Sequence, residues 1–221
     1  MIRLGVVLFA LSWGQMLAAQ EHISTTGALS DRDFYRLVAC AADPGGTCRK
    51  QFVRWPARKA RTLTVGIARV DPTFPKRKAA LIDTALTEAA ARITGVGAGV
   101  AISRSESSPD IVVHLMDHPE QSPLKGTNVP GLDGNFIEAA HVHVWWNGAK
   151  EITASHIVIT HHIRRSGIRS VILEELVQSL GLLTDIQNPY YRSLSIFEQD
   201  SNAVSVLEGQ DARAIVMHYP R

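Results

Sequence analysis

Hydrophobic residues along the first half of the chain follow two different periodicities, and each periodicity predicts a secondary-structure element. The stretch TLTVGIARV (62–70) alternates apolar and polar residues and is rich in β-branched side chains, which predicts a strand. The next stretch, KRKAALIDTALTEAAARITG (76–95), repeats apolar residues every three or four positions and closes on Gly95, which predicts one long amphipathic helix. Two short strands are predicted to follow, at 99–104 and 110–117.

The second half of the chain repeats the strand pattern and then returns to a helical one. It begins with a Pro- and Gly-rich loop at about 118–134. The elements predicted after this loop are strands at 139–146 and 152–163, a helix at 166–182 with Ser166 as its N-cap, and a last short helix at 207–219. This order predicts an α/β (α+β) fold with a mixed sheet, a long helix behind it, a second helix, and a small C-terminal lobe that ends in a short helix.

The N-terminus has the pattern of a secretory signal peptide. Residues 1–19, MIRLGVVLFALSWGQMLAA, combine one basic residue, an apolar run and a small-residue exit. We predict cleavage after Ala19 and a periplasmic or secreted mature protein. The apolar run is broken by Ser12, Gly14 and Gln15 and is too short for a stable spanning helix, so no integral membrane association is expected after cleavage. A retained membrane anchor is the alternative.

The mature chain has the length of one globular unit. We divide it into an N-terminal segment with a cysteine loop (20–60) and a main domain (61–221), which together form this unit. The formal net charge of +2 includes Arg3 of the signal peptide, so the mature chain is almost neutral. Nucleic acid is therefore not an expected partner, and the basic run RWPARKAR (54–61) is interpreted as a solvated strand edge.

The chain has two cysteines, Cys40 and Cys48, in the sequence CAADPGGTC. Pro44, Gly45 and Gly46 between them can turn the chain back on itself. In an oxidising compartment the two cysteines are predicted to form a disulfide, which would contribute roughly 2–3 kcal/mol by closing so small a loop.

The helix ILEELVQSLGL (172–182) places its polar residues in a specific pattern. At 100° per residue, Glu174, Gln178 and Gly181 fall on one line, whereas Glu175 lies on another side. Gly181 lets the chain turn sharply, which can bring Thr184 or Asp185 back toward that line. The apolar residues that form the buried stripe are Leu173, Leu176, Val177 and Leu180.

The pattern ExxxQxxG followed by Thr-Asp resembles the active-site helix of the metzincin clan of zinc endopeptidases, whose consensus is HExxHxxGxxH or HExxHxxGxxxD. The resemblance implies a metzincin-like fold and a role for each matching position. The first metal-ligand position falls on Glu174 and the general base on Glu175. The second ligand position falls on Gln178, and the third falls on Thr184 or Asp185.

Two downstream segments extend the resemblance to the matrixin-like branch of that clan. Ser195, Ile196 and Phe197 match the Met-turn that lies under the site. A terminal helix similar to LSxxDxxxIxxLYG is matched by Leu207, Asp211, Ile215 and Tyr219. An alternative places the turn at VMHYP (216–220), which would remove the terminal helix.

The chain also resembles an uncharacterised proteobacterial family of secreted proteins and lipoproteins, a domain of unknown function with the pattern EExxQxLGL, a following Asp, and SIF. This resemblance extends from about residue 29 to the C-terminus. It implies family membership and no particular chemistry.

The missing histidines decide what chemistry the metzincin-like positions could support. Zinc sites use imidazole, thiolate and carboxylate ligands, and a glutamine amide is a weak, neutral ligand, so no cofactor is expected. If a divalent metal binds, the oxygen set of Glu174, Gln178 and Asp185 suits calcium or magnesium better than zinc. Zinc lowers the pKa of its bound water to about 7, which lowers the free energy of forming hydroxide by on the order of 12 kcal/mol. A general base such as Glu175 contributes roughly 3–5 kcal/mol. Peptide hydrolysis without a metal is therefore not expected.

Two other interpretations of these polar residues are open. Glu174 and Gln178 can be structural, forming hydrogen bonds to the loop that carries Asp185. Alternatively, histidines on paired strands could rebuild a metal site, for instance His143 with His156.

The sequence favours a non-catalytic pseudopeptidase that binds an extended polypeptide or an envelope protein. The predicted edge strand AAHVHVWW (139–146) could pair with a peptide, and the substrate groove is predicted at Val144, Trp145 and Trp146. The alternatives are a metal-dependent hydrolase in which Glu175 activates water, and a structural envelope protein without a groove.

Overall fold

The computed structural model describes residues 22–221, which are arranged around a mixed β-sheet. The strands are β1 (His22–Ser24), β2 (Leu63–Val70), β3 (Ile102–Arg104), β4 (Ile111–Met116), β5 (Ser122–Pro123), β6 (Phe136–Ile137), β7 (Ala140–Trp146), β8 (Ile152–Thr160) and β9 (Asp185–Gln187). The α-helices are α1 (Asp31–Cys40), α2 (Ala57–Ala60), α3 (Lys76–Gly95), α4 (Ile168–Gln178) and α5 (Gly209–His218). The predicted signal peptide and its cleavage site after Ala19 lie outside the described residues.

The central sheet has the strand order β3-β2-β4-β8-β7. The first four strands run parallel, and β7 runs antiparallel to β8 along one edge. Because parallel neighbours need a long crossover, β2 is joined to β3 through α3. The predicted fold class is confirmed: a mixed sheet, a long backing helix, a second helix and a short final helix.

Helices α3 and α4 pack against each other on one face of the sheet. The apolar stripes of both helices are buried there, and fully burying each large aliphatic side chain stabilises the fold by about 1.5–3 kcal/mol. The side chains that form these stripes are Ile82, Leu86 and Ile93 of α3, and Ile172, Leu173, Leu176 and Val177 of α4. This packing fixes α4 beneath the sheet.

The opposite face of the sheet carries a second, smaller core. Part of the loop predicted at 118–134 covers this face, and β5 within this loop pairs with β6 just after it in a short antiparallel hairpin. The buried members of this core are Met116, Leu124, Leu132, Ile137 and Val158. The loop is therefore a packed cover rather than an open connection.

The N-terminal segment is tied to the C-terminal part of the chain. Helix α1, which is not among the predicted elements, is capped by Ser30, whose hydroxyl accepts the N–H of Asp33 at 3.1 Å. It packs against α5, and β1 pairs in parallel with β9. The predicted disulfide is confirmed, with Cys40 and Cys48 joined at a Cα–Cα distance of 5.2 Å.

Several predicted boundaries are wrong. Strand β3 begins at Ile102 instead of residue 99, and helix α4 ends at Gln178 instead of residue 182. Helix α4 begins at Ile168 after a short 3-10 turn (Arg165–Gly167), so Gly167 rather than Ser166 is its N-cap. Strand β8 ends at Thr160, where the chain turns, instead of continuing to residue 163. None of the helices in residues 22–221 has the length and apolar character that a membrane crossing requires.

Candidate functional site

The turn at Gly181 ends α4 and folds the chain back beside it. The N–H of Gly181 donates to the carbonyl of Gln178 at 2.8 Å, and Gly181 has a φ of +102°. A Cβ at this position would lie 2.0 Å from the carbonyl oxygen of Val53. Both the backbone conformation and the close approach require glycine. The turn allows the following strand, β9, to bring Asp185 against α4.

Gln178 and Asp185 meet in a buried hydrogen bond. Gln178 Nε2 donates to Asp185 Oδ1 at 2.8 Å, and both side chains are almost inaccessible to solvent. The bond joins the second predicted ligand position to one of the two candidates for the third. The hydroxyl of the other candidate, Thr184, is buried and makes no hydrogen bond within residues 22–221. Gln178 thus makes the contact that its structural interpretation predicts.

Glu175 is buried in a way that favours its protonated form. Its side chain is 3% exposed, and its Oε2 has no hydrogen-bond partner among the described residues. Burial, followed by repulsion from Asp185, raises the pKa of Glu175 from 4.5 to about 8. At neutral pH this carboxyl group therefore holds a proton rather than being ready to accept one.

Glu174 lies in the same acidic region. Burial of its carboxyl is the largest cause of a pKa well above the ordinary value, followed by repulsion from Asp185 and Glu175. Part of the Glu174 side chain is nevertheless accessible at the helix surface. Smaller repulsions come from Asp211 of α5 and Glu138 of the β6–β7 connection. Because all these neighbours are acidic, the region stabilises neutral carboxyl groups.

The SIF segment forms a turn that Asp211 of α5 holds in place. Ser195 Oγ donates to Asp211 Oδ1 at 2.7 Å, and the N–H of Ile196 donates to Asp211 Oδ2 at 2.9 Å. Burial raises the pKa of Asp211 to about 7 even though these two bonds act in the opposite direction. The N–H of Ile186 in β9 donates to the carbonyl of Phe197 at 2.7 Å, which places the turn beside the strand of Asp185.

The alternative turn at VMHYP is wrong, because residues 216–218 continue helix α5. The residue that follows the helix, Tyr219, has a different role. Its hydroxyl donates to the carbonyl of Leu180 at 2.6 Å, while Trp55 Nε1 donates to the carbonyl of Ser179 at 3.0 Å. These bonds satisfy carbonyls that a helix end leaves open. Trp55 has no local sequence signal for this role, since its partner is 124 residues away.

The three predicted groove residues of β7 have different surroundings. Val144 is 4% exposed and belongs to the main core. Trp145 points to the opposite face, where its ring centroid lies 4.4 Å from that of His143 and 5.2 Å from that of His156. Trp146 is 47% exposed at the end of the strand. Among the three, Trp146 is therefore the side chain that a ligand in solvent could reach.

His143 and His156 pair across β7 and β8, as the strand pattern predicts. His156 Nδ1 lies 2.9 Å from Nε2 of His114, and these two rings stack at 5.1 Å. Burial lowers the pKa of all three histidines, and that of His114 falls to about 4. The group lies on the outer face of the sheet, away from α4.

Zinc, which the metzincin resemblance implies, does not fit these side chains as they are arranged. The Gln178 amide presents an N–H to Asp185, whereas ligation there would require its oxygen. Within residues 22–221, no group of three or more His, Cys, Asp or Glu side chains has an arrangement that could hold a metal ion, and this includes the histidines around His156.

The mixed sheet and the carboxyl groups beneath it define an α/β protein. Its buried polar cluster, which contains Gln178 and Asp185, lies beside helix α4. The chain belongs to the family described as "Protein of unknown function (DUF2927)", whose model matches residues 31–221. No curated protein matches the chain. Among solved structures it is similar to one titled "Structure of myroilysin", at 17% identity and a TM-score of 0.39, covering 76% of this chain and 96% of that chain.

Proposed function

We propose that this protein is a non-catalytic, polypeptide-binding protein of the bacterial envelope. The observation that carries the proposal is the buried 2.8 Å hydrogen bond between Gln178 and Asp185. It uses two of the positions that a zinc peptidase of this pattern would need as ligands. Gln178 Nε2 and Asp185 Oδ1 bond to each other and join the helix to the strand that follows its turn, and an amide N–H cannot serve as a metal ligand.

The protonation of Glu175 supports the same proposal. A general base must be deprotonated at the working pH and within reach of the water it activates. Glu175 has a pKa of about 8 and is 3% exposed. Near neutral pH it therefore lacks both the charge and the access to water that the reaction requires.

The edge of the sheet provides the proposed binding surface. In the part of the chain that the structure describes, β7 has a strand partner on one side only, namely β8. An edge strand exposes backbone N–H and C=O groups with which an extended peptide can pair. Trp146 at the end of β7 adds an exposed aromatic anchor, while the buried Val144 fixes the strand to the core.

The envelope location rests on two observations. Residues 1–19 have the pattern of a signal peptide, and the Cys40–Cys48 disulfide is typical of an oxidising compartment. Expression of the full chain in a bacterium, followed by fractionation and N-terminal sequencing, tests this part. Cytoplasmic protein that still begins at Met1 would contradict it.

Peptide binding can be tested with the purified chain lacking residues 1–19. We expect members of an array of extended peptides to bind, and Trp146→Ala to weaken that binding by about tenfold. Leu194→Ala is the matched control, because it removes a similarly exposed apolar side chain from the C-terminal lobe. Fluorescence anisotropy gives the Kd values. No binding by the wild type, or an equal loss in both variants, would show the proposal to be wrong.

One observation favours a second candidate, a metal-dependent hydrolase with oxygen ligands. The unbonded, buried Oε2 of Glu175 close to Glu174 is an atom that a hard divalent cation could satisfy. Elemental analysis of protein purified without chelator separates the two candidates. Stoichiometric metal that is lost in Glu174→Ala supports the hydrolase and contradicts the first proposal. Metal-free protein whose melting is unchanged by EDTA contradicts the hydrolase.

A further inference from the structure

A cavity of about 550 Å³ lies on the opposite side of β8 from the β7 edge. It is lined by the segment after the disulfide loop, by the hairpin between β7 and β8, and by the end of α5. The N–H of Ile152 in β8 donates to the carbonyl of Arg54 at 2.8 Å, while Ile152 also pairs with Trp146 of β7. Arg54 and β7 therefore flank β8 on opposite sides. The size is within the range of about 300–1,000 Å³ that is common for small-molecule sites.

Aromatic side chains form one wall of this cavity. The ring of Tyr35 lies between those of Phe52, at 5.8 Å, and His218, at 5.9 Å. His218 is buried and fixed, since its Nε2 lies 3.0 Å from the carbonyl of Val53 and its Nδ1 lies 3.3 Å from the Tyr35 hydroxyl. Phe52 is 40% exposed, so a large apolar ring remains uncovered at the cavity. The wall is suited to a flat apolar group.

Two cationic side chains line the same cavity, Arg54 and Lys150. Their backbones are joined, because the N–H of Arg54 donates to the carbonyl of Lys150 at 3.3 Å. Neither cation is within 4.0 Å of a carboxylate among residues 22–221. The one acidic residue in the lining, Glu151, accepts a hydrogen bond from Asn147 Nδ2 at 3.2 Å. Two cations against one anion leave a single net positive charge.

Lys150 occupies a backbone conformation that normally favours glycine or asparagine. Its φ is +65°. The hairpin loop is held in this form by Asn147, whose Oδ1 accepts the N–H groups of Ala149 and Glu151 at 2.9 and 3.0 Å. A lysine thus occupies a backbone conformation that glycine would adopt at a lower cost in free energy.

We propose that this cavity binds a carboxylate carried on an aromatic group, with the carboxylate between Arg54 and Lys150 and the ring against Phe52 and Tyr35. Guanidinium and ammonium groups are the usual partners of a carboxylate. The single net positive charge matches a monoanion, whereas a phosphate dianion would meet repulsion from Glu151. Two sources can supply this chemistry, a free aromatic acid or the last residue of a polypeptide that ends in an aromatic residue. Binding in this cavity is independent of peptide binding at β7.

The test uses the purified chain lacking residues 1–19 and three probes. N-acetylphenylalanine represents the free acid, and a pentapeptide ending in phenylalanine represents the polypeptide terminus. N-acetylphenylalanine amide lacks the negative charge and should not bind. Isothermal titration calorimetry gives the Kd of each probe, and a thermal melt confirms that each protein is folded.

The variants separate binding from folding. Arg54→Gln and Phe52→Ala change exposed side chains and should each weaken binding by about tenfold. Lys150→Gly should weaken binding while raising the melting temperature, because glycine relieves the positive φ. Arg58→Gln is the matched control, since it removes an exposed neighbouring charge that does not line the cavity and should leave the Kd unchanged.

Binding of either charged probe that is lost in Arg54→Gln and kept in Arg58→Gln supports the assignment, and the probe that binds identifies the source. Failure of both charged probes to bind the folded wild type would overturn it. An equal loss in Arg54→Gln and Arg58→Gln, or binding of the amide as tight as that of the acid, would also overturn it. Trp146 lies on the other side of β8, so the effect of Trp146→Ala on peptide binding reports on the β7 surface separately.

Discussion

At position 178 a neutral amide occupies the place where the zinc endopeptidases of the similar pattern have an imidazole. The amide donates to the buried carboxyl group of Asp185, and an intramolecular hydrogen bond contributes about 0.5–1.5 kcal/mol to stability. From the residue types at 174 and 178 we expect zinc to be poorly held, and this stays a prediction. The hydrogen bond itself was one of several open interpretations, because a sequence does not give the path of the turn that returns Asp185.

We predict that Gln178→Leu lowers the free energy of unfolding by about 1–3 kcal/mol, because the buried carboxyl group of Asp185 loses this hydrogen bond. Urea unfolding at pH 7 measures the change. Gln51→Leu, at an exposed position in an irregular segment, is the control and should change stability by less than about 0.5 kcal/mol. Equal stability of the two variants would show that the bond contributes nothing.

The pKa of Glu175 leads to a prediction with a definite sign. The folded state binds this proton more tightly than the unfolded state, with a pKa of about 8 against 4.5. Stability from this group is therefore lost as the pH rises from 4.5 to 8. Over that pH window the free energy of unfolding of Glu175→Gln should increase relative to that of the wild type, by an amount on the order of 3–5 kcal/mol.

The measurement for Glu175→Gln is the difference in unfolding free energy at pH 5 and pH 8. The exposed Glu106→Gln is the control and should follow the wild type at both values. A difference between Glu175→Gln and the wild type that does not grow with pH would contradict the buried, protonated carboxyl.

Among the elements, α3 was predicted over its full length and α1 was not predicted at all. The apolar residues of α3 recur at helical spacing over twenty residues, so the signal is local and long. Helix α1 is half that length and lies in a segment whose cysteines and glycines suggested a loop. The start of α4 was misplaced because a 3-10 turn precedes it, and a serine next to such a turn is not a sufficient cap signal.

The turn after α4 provides a prediction at this scale. Gly181→Ala should destabilise the protein by at least about 2 kcal/mol, because alanine disfavours a φ of +102° and its Cβ would approach the carbonyl oxygen of Val53 to 2.0 Å. Gly148→Ala is the control, since its Cβ would meet nothing within 4 Å and its φ is not positive. Thermal melts of both variants measure the effect, and an unchanged melting temperature for Gly181→Ala would mean that the turn adopts another form.

For the whole molecule, buried acids lower the stability of the fold at high pH, and buried histidines lower it at low pH. Burial lowers the pKa of His114, His141 and His218 from 6.5 to about 4, so the stability they contribute is lost as the pH falls through that interval. Burial raises the pKa of Glu175 to about 8 and that of Asp211 to about 7, so the stability that these two acids contribute is lost as the pH rises. The free energy of unfolding should therefore be largest near pH 6.5.

Urea unfolding between pH 4 and pH 9 tests this optimum. The double variant Glu175→Gln/Asp211→Asn should make the decline above pH 6.5 shallower, with Glu174 causing the part that remains, and should leave the decline below pH 6.5 in place. A wild-type protein whose stability still rises between pH 7 and pH 8 would contradict the burial of these two acids.

The parallel pairing of β1 with β9 has a consequence for how the protein is made. His22 lies opposite Asp185, and the hydrogen bond from Ser24 to Gln187 joins residues 163 positions apart. Contacts so distant in sequence form slowly, since a large loop must close first. The cluster around Asp185 can therefore be completed only after both strands have been synthesised, and until then these carboxyl groups are in water.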